Sequence, residues 1–236
     1  LFPVLNRPIL EHAINFLSTH GIKEIAINLH HKSEKIIDYF GDGKDFRVNL
    51  HFSKEENILG TAGGIKKLQS FFKNETFLVI NSDILADVNL NNVLKFHKEK
   101  NSKLTLVVRQ DPNAEKYDSI QRIDEGRIVH FLGRSIKNSE PTTKVMFTGI
   151  QIMEPEIFSR IPENKFCGTV EDIFPGMIED ELPRIQFSAQ RLLDRHGDKR
   201  NLYPSTDGCT RWENTFKNFT IQKYRRAAYR PPGSYR

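Results

Sequence analysis

The chain has 236 residues, of which 38% are hydrophobic and 28% charged, and its formal net charge is +5. That composition is typical of a globular protein, and no apolar run reaches the ~20 residues that a membrane span needs, so we expect no membrane partner. Two cysteines are too few for a disulfide framework or a zinc cluster, which favours a reducing cytoplasm as the compartment.

In the first part of the chain, helical and strand patterns alternate. Pro8 stands where a helix can begin, and Gly21 is a natural stop for that helix. The alternation in EIAINL predicts a strand over 24–29. Ser33 is a candidate cap for the helix SEKIIDYF, and a second strand is predicted over 46–52.

The middle of the chain continues this alternation. The glycine-rich stretch LGTAGG is predicted to form a loop before a helix over 65–72. The apolar run at 76–81 is typical of a buried parallel strand, and a helix over 89–100 leads to another buried strand over 104–109. These elements predict an α/β fold, namely a Rossmann-like, mostly parallel sheet with helices on both faces.

After residue 114 the pattern changes. Two short strands around the turn DEG predict a hairpin within 119–132, followed by a strand over 145–153. Short helices are predicted over 155–160 and 170–180. We expect this mixed α+β half to hold a second substrate.

The tail differs from the rest of the chain in pattern and in charge. Residues 187–236 have no sustained apolar period, and they hold eleven Lys and Arg against four Asp and Glu. Residues 1–186 hold 24 against 26. We therefore predict one domain over 1–186 and an irregular, disordered tail over 187–236. A nearly neutral body suits an enzyme of small metabolites, and nucleic-acid binding through the tail is the weaker alternative.

Asp83, in FLVINSDIL, is the most informative single residue. It follows the carboxyl end of a predicted buried strand, where open α/β folds bind ligands. A carboxylate there can hold a divalent cation beside a phosphate, or it can cap the turn that follows the strand.

The glycine-rich stretch is the second candidate feature. Its glycines allow close approach of the backbone to a ligand, and Glu56 just upstream can hydrogen-bond a base or a ribose. The alternative is a tight junction between a loop and a helix.

Gly149, Glu171 and Arg134 complete the candidates. Gly149 inside a strand pattern suggests that something approaches the backbone closely. Glu171 opens an apparent helix that Thr169 can cap, so it can serve a ligand or only the helix dipole. Arg134 can meet a phosphate or remain solvated.

Together, in their order along the chain, these segments resemble the sugar-1-phosphate nucleotidyltransferases, especially the mannose-1-phosphate guanylyltransferase-like branch. The segments that carry the resemblance are LFPVLNRPILEH, Glu56 with LGTAGG, LVINSD, FTGIQIMEPEIF and TVEDIFP. The resemblance implies transfer of a nucleotidyl group from a nucleoside triphosphate, with GTP favoured, to a sugar-1-phosphate. Pyrophosphate would leave.

The resemblance also implies roles for single residues. Asp83 would be catalytic and bind Mg²⁺; Glu56, Gly60, Thr61 and Asn81 would contact the nucleotide; Arg134, Gly149 and Glu171 would contact the sugar phosphate.

Two parts of the family pattern are expected but not found. The phosphate-gripping loop and first strand would precede Leu1, so we expect a strand edge to lack its partner. The closing W-x-D-x-G-T motif would fall near residue 195, where RLLDRHGDKRN stands. Synonymous codons for 187–206 can spell FLHNGYWIDMGTKETYIQA in the neighbouring frame, so we predict a frame shift directly after Gln186.

These gaps bear on the expected activity. Because the closing motif supplies the second carboxylate for the metal in relatives, we expect negligible turnover from this polypeptide. The alternative is a non-catalytic homologue that binds sugar nucleotides and has a regulatory role.

Overall fold

The computed structural model describes residues 3–110, 120–122, 128–131, 134–135, 143–179, 184–188, 191–193 and 219–222. The helices are α1 (Ile9–Thr19), α2 (Ser33–Phe40), α3 (Gly60–Lys67), α4 (Leu90–Glu99) and α5 (Phe174–Glu179). The strands are β1 (Pro3–Val4), β2 (Arg7–Pro8), β3 (Glu24–Leu29), β4 (Asn49–Lys54), β5 (Phe77–Asn81), β6 (Leu85–Asp87), β7 (Leu104–Arg109), β8 (Ile120–Arg122), β9 (Ile128–Phe131), β10 (Arg134–Ser135), β11 (Thr143–Met153), β12 (Arg184–Ser188), β13 (Arg191–Leu193) and β14 (Phe219–Gln222). Short 3-10 helices lie at Lys44–Phe46, Gln69–Phe72 and Pro155–Arg160, and a π-helical turn lies at Thr169–Ile173.

Within the described ranges, ten strands form one mixed sheet. Strands β4, β3, β14 and β5 lie side by side and run parallel, and β12 runs parallel to β7. Strand β11 runs antiparallel to β5 and β7 and continues into the antiparallel set β8, β9 and β10. The antiparallel pairing of β8 with β9 confirms the two strands of the predicted hairpin, while its predicted turn DEG lies outside the described residues.

Helices cover both faces of this sheet, as the sequence predicted. One face packs on α1, α2 and α4 through residues such as Ile14, Phe40 and Val93. The other face packs on α3 and α5 through Ile65 and Phe174. Among the described helices, none is long and apolar enough to cross a membrane.

Several element boundaries differ from the prediction. Ser33 is the first residue of α2 and not its cap, because Lys32 precedes it with a left-handed φ of 53° and makes no side-chain cap bond. Strand β4 begins at Asn49 and not at residue 46, since a 3-10 turn takes up Lys44–Phe46. Helix α3 begins at Gly60, so most of the predicted glycine-rich loop is helical.

The predicted unpaired strand edge is not what the structure shows. Strand β14 lies between β3 and β5, with Thr220 in register with Ala26 on one side and Val79 on the other. A four-residue strand is too short for its periodicity to stand out in a stretch of sequence without a sustained apolar period, which is why the sequence did not predict it.

A buried polar network joins α4 to the end of β11. His97 is 1% exposed; its Nδ1 lies 2.7 Å from Thr105 Oγ1 and its Nε2 lies 2.9 Å from Glu154 Oε1. Thr76 Oγ1 donates to the same carboxylate at 2.7 Å. The hydrogen bond from His97, together with that from Thr76, holds the pKa of Glu154 below its ordinary value of 4.5 despite partial burial.

We expect Glu154→Gln to lower the free energy of unfolding at pH 7 by about 1–2 kcal/mol, because the hydrogen bonds to a charged acceptor become weaker hydrogen bonds to a neutral amide. A lowered pKa means that the carboxylate stabilises the fold above pH 4.5 and loses this effect as the pH falls through the folded-state pKa. Urea unfolding at pH 7, 5 and 4 should therefore show the gap between wild type and variant closing in acid. The exposed Glu163, replaced by Gln, is the control, and an equal effect from it would contradict the assignment.

Candidate active site

The parallel strands end at a common edge that carries polar residues. Strand β14 pairs Ile221 with both Ile27 and Ile80, so Asn28 of β3 and Asn81 of β5 lie level with each other. Two strand spacings of ~4.8 Å place these residues roughly 10 Å apart. Ligands bind at this carboxyl edge in open α/β sheets.

The start of α3 is fixed against a distant segment of the chain. The backbone N–H groups of Ala62 and Gly63 donate to the carbonyl oxygen of Cys167 at 2.9 and 3.2 Å. In return, the Cys167 N–H donates to the Leu59 carbonyl oxygen at 2.9 Å. We call these contacts between residues 59–63 and Cys167 the glycine clamp. The clamp brings the predicted nucleotide loop beside the predicted sugar segment.

The clamp requires glycine at two positions, because a side chain there would collide with the facing backbone. Gly60 has a φ of 74°, and a Cβ there would stand 2.5 Å from the Cys167 carbonyl oxygen. A Cβ on Gly63 would stand 2.8 Å from the Lys165 carbonyl oxygen. The alternative of a tight structural junction is therefore realised, and the N–H groups of Ala62 and Gly63 are engaged by protein.

Thr61 forms a second link between the same two segments. Its hydroxyl accepts from the Thr169 N–H at 2.7 Å and lies 3.0 Å from the Thr169 hydroxyl. Thr169 therefore joins α3 and does not cap its own helix, which has no side-chain cap bond. Asp172, which the sequence analysis did not select, caps the turn instead: its Oδ2 accepts from the Gly168 N–H at 2.6 Å.

Glu171 lies in the first turn of the π-helical segment, which is an irregularity that is frequent at functional sites. It is exposed, and its carboxylate lies so close to Gly168 that a Cβ there would collide with it. Glu171 is thus carried by the segment that the glycine clamp fixes.

Two adjacent glutamates after β4 have different environments. Glu55 is 7% exposed; its Oε1 accepts from Asn28 Nδ2 at 3.0 Å, and its Oε2 accepts from the Leu59 N–H at 3.1 Å. Glu56, which the sequence singled out, is exposed. Glu55 therefore ties the edge of the sheet to the start of α3, a role that no sequence motif signalled.

Gly149 meets Asn81, as the glycine in a strand pattern suggested. It has a φ of 86°, and a Cβ there would lie 2.8 Å from Asn81 Nδ2. Thr148 beside it donates to the Val107 carbonyl oxygen at 2.7 Å and fixes this part of β11. Asp83 is half-buried and follows β5 by two residues, so it lies next to the same junction.

Arg134 lies in β10, where its backbone pairs with Phe131 of β9. The Phe131 ring meets that of Phe174, with 6.0 Å between centroids, and Phe174 follows Glu171 by three residues. The backbone of Arg134 is therefore in the same half of the protein as the predicted sugar segment, but its side chain lies outside the described atoms.

The site is polar, and its buried thiol belongs to Cys167 of the glycine clamp. Burial, followed by the nearby Asp172, raises the pKa of the Cys167 thiol, so the thiol is neutral at pH 7. Within the described ranges, no cluster of three His, Cys, Asp or Glu could hold a metal ion alone. Asp83 therefore offers a cation one carboxylate ligand, and the remaining oxygen ligands would have to come from outside the described residues.

Comparison with known proteins places these segments in context. The family described as "Nucleotidyl transferase" matches residues 1–212. The UTP–glucose-1-phosphate uridylyltransferase of Synechocystis sp. is 33% identical over 196 residues, which cover 78% of this chain and 50% of that protein. The mannose-1-phosphate guanylyltransferase of Mycobacterium tuberculosis is 26% identical over 76% of this chain and 49% of that protein.

The chain thus spans about half the length of the curated relatives it matches. Among solved structures, HddC from Yersinia pseudotuberculosis, complexed with GMP-PN, matches with a TM-score of 0.68 over 84% of each chain. At 19% identity this likeness concerns the fold. It agrees with the predicted α/β sheet and with helices on both of its faces.

Proposed function

The chain belongs to the nucleotidyl transferase family, and from that premise we propose that its carboxyl edge binds a nucleoside triphosphate and a sugar-1-phosphate side by side. The reaction class is transfer of a nucleotidyl group to the sugar phosphate. The relatives named uridylyltransferase and guanylyltransferase support this class.

The glycine clamp is the observation that carries the proposal. It joins Gly60 and Thr61, proposed to contact the nucleotide, to the segment that leads to Glu171, proposed to contact the sugar. Because backbone hydrogen bonds and one threonine pair join the two segments, we expect them to keep a fixed position relative to each other. Two substrates held at a fixed mutual orientation gain rate from positioning, which such transfers need together with charge neutralisation.

The transfer itself needs positioning and charge neutralisation. An oxygen of the sugar-1-phosphate attacks the α-phosphorus of the triphosphate, and the bond from that phosphorus to pyrophosphate breaks. Mg²⁺, when bound, would neutralise charge that develops on the phosphate oxygens. Asp83 would supply one carboxylate to that ion, and Gly149 and Asn81 would shape the adjacent surface.

Guanine and mannose are the proposed specificity within this class, on the resemblance of the motifs to the guanylyltransferase branch. Because one relative is named a UTP–glucose-1-phosphate uridylyltransferase, the pair UTP and glucose-1-phosphate is the proper comparison. Glu56 and Arg134 are proposed to contact the nucleotide and the sugar phosphate, respectively.

Binding and turnover should be measured separately on the full chain. We expect calorimetry in the presence of Mg²⁺ to detect binding of GTP and of mannose-1-phosphate, and weaker binding of UTP and of glucose-1-phosphate. We expect pyrophosphate release to be negligible, because residues 187–236 lack the second carboxylate motif that the resemblance implies. Failure to bind any nucleoside triphosphate or sugar phosphate would overturn the proposal.

The pattern of results also separates the alternatives. Binding without turnover by a chain whose reading frame proves correct would fit a non-catalytic, regulatory homologue. Tighter binding of UTP than of GTP would retain the reaction class and reject guanine as the base.

A further inference from the structure

A small cavity lies at the amino edge of the sheet, where the parallel strands β3 and β4 begin. It has a volume of about 250 Å³ and is lined by Lys23, Lys44, Arg47, Val48 and Asn49. Lys23 directly precedes β3, and Asn49 is the first residue of β4. Because β3 extends for six residues, this cavity lies about 20 Å from the carboxyl edge that forms the candidate active site. We call it the basic cavity.

The basic cavity has more positive charge than the acids of its own loop neutralise. Lys44 Nζ pairs with Asp42 Oδ2 at 2.5 Å. Lys23 Nζ, in contrast, donates to the neutral carbonyl oxygen of Arg47 at 3.1 Å. Asp45, the other acid of the loop, does not line the cavity. The charges of Lys23 and Arg47 therefore have no acidic partner within the described part of the chain.

Glu24, the first residue of β3, is engaged by side chains of β4. Its Oε1 accepts from Asn49 Nδ2 at 2.5 Å, and its Oε2 lies 2.9 Å from His51 Nε2. Its carboxylate does not line the basic cavity. Besides the three cationic side chains, the lining thus consists of one amide and the apolar Val48.

Arg47 has a backbone conformation that seldom carries a side chain. Its φ of 59° lies in the left-handed region, which favours glycine. Its side chain is exposed, and among the described residues none accepts a hydrogen bond from its guanidinium. Residues held in such conformations cluster at functional sites. This combination indicates a ligand as the partner of the guanidinium.

The loop that carries Lys44 and Arg47 is held in place by its own backbone. The N–H groups of Phe46 and Val48 donate to the Gly43 carbonyl oxygen at 2.9 and 3.2 Å. Gly43 has a φ of 90°, and a Cβ there would stand 2.7 Å from the Val48 carbonyl oxygen. A loop that is fixed before a ligand arrives loses less conformational entropy when the ligand binds.

We propose that the basic cavity binds a compact phosphorylated anion, namely inorganic phosphate, pyrophosphate or the phosphate group of a small sugar phosphate. This site is separate from the one in the proposed function and does not depend on it. A phosphate group carries close to two negative charges at pH 7, which match the charges of Lys23 and Arg47. The guanidinium can donate two parallel hydrogen bonds to phosphate oxygens, and Lys23 Nζ has two further donors besides the one that the Arg47 carbonyl oxygen accepts.

The volume and the charge of the cavity both favour this class of ligand. Pockets that enclose larger organic ligands measure roughly 300–1,000 Å³, so a cavity of about 250 Å³ is small for a whole nucleotide. A single carboxylate would fit the volume but would neutralise only one of the two charges. A phosphate group satisfies both requirements.

The test is calorimetric titration of the full chain at low ionic strength, in EDTA and without nucleotide. Inorganic phosphate, pyrophosphate and mannose-1-phosphate are the three ligands, and we expect saturable binding of at least one. Arg47→Asn should weaken this binding about tenfold, because the bidentate contact is lost. Asparagine tolerates a left-handed φ, so the variant should unfold in urea at the same concentration as wild type or at a higher one.

The matched control is Lys98→Gln, which also removes one positive charge. Lys98 is exposed on α4 and does not line the basic cavity. A general electrostatic effect on anions would therefore appear in both variants. Backbone amide NMR spectra of the full chain add the location of binding, and we expect phosphate to shift the signals of residues 42–49.

The possible results separate this proposal from its alternatives. Binding that depends on Arg47 but not on Lys98, with shifts in residues 42–49, would support it, and the tightest ligand would identify the source of the phosphate group. It is overturned if no ligand binds saturably, if Arg47→Asn binds as well as wild type, if both variants lose affinity equally, or if acetate binds as tightly as phosphate. Failure of GTP to bind at the carboxyl edge would reject the proposed function and leave this site unaffected.

Discussion

Gly60→Ala should lower the free energy of unfolding by about 3 kcal/mol and should lose nucleotide binding. The φ of 74° at Gly60 lies in the left-handed region, where a residue with a Cβ is strained by ~1–2 kcal/mol. The added Cβ would also stand 2.5 Å from the Cys167 carbonyl oxygen, which is backbone and cannot swing aside. The two segments must therefore separate, and the site that they form should open.

The matched control is Gly176→Ala. Gly176 lies in α5, and a Cβ there meets no heavy atom within 4 Å. Alanine in a helix is favoured over glycine by roughly 1 kcal/mol, so this variant should be as stable as wild type or slightly more stable. Urea unfolding and GTP titration of both variants measure the difference. Wild-type stability and affinity in Gly60→Ala would show that the clamp is not needed.

The local elements could be predicted because each carries its own pattern. Strand β3 at Glu24–Leu29 and strand β7 at Leu104–Arg109 were predicted with the bounds that the structure has. The first shows an alternating pattern and the second is mostly apolar. Helix α4 was also predicted, over 89–100, and in the structure Asn89 is its cap, with a side chain that accepts from the N–H groups of Asn91 and Asn92.

The long-range contacts could not be predicted, since no local pattern specifies them. Thr61 and Thr169 are 108 positions apart, and no pattern in either segment predicts the contact between their hydroxyl groups. The same holds for Leu59 and Cys167. The glycines were recognised as sites of close approach, either to a ligand or at a tight junction, but the sequence could not show that the approaching groups are the carbonyl groups of Cys167 and Lys165.

The sequence analysis selected Glu56, whereas the structure gives its neighbour Glu55 the buried position. The sequence favoured the second carboxylate, while the fold buries the first against Asn28 and leaves the second exposed. Neighbouring residues of an extended segment face opposite ways, so an error of one residue reverses the assignment of a side chain. The predicted frame shift after Gln186 stays a prediction.

Asp83→Asn should remove most of the Mg²⁺-dependent part of GTP affinity, with a loss of roughly 10- to 100-fold. Asparagine keeps the size and one oxygen of aspartate but lacks the charge that a hard divalent cation requires. Because the described residues offer no cluster that could hold the ion alone, its binding should depend on this carboxylate and on the substrate phosphates together. In EDTA, wild type and variant should therefore bind GTP equally weakly.

The comparison variant is Asp87→Asn, an exposed carboxylate on β6 in the same stretch of chain. It changes the net charge by the same amount, so a general electrostatic effect on a polyanionic ligand would appear in both variants. Loss confined to Asp83→Asn, with unchanged urea unfolding, would identify position 83 as the metal-dependent one. If the GTP affinity of wild type and Asp83→Asn depended equally on Mg²⁺, Asp83 would only close the turn after β5. The cation would then have to be held by phosphate oxygens and by residues other than this carboxylate.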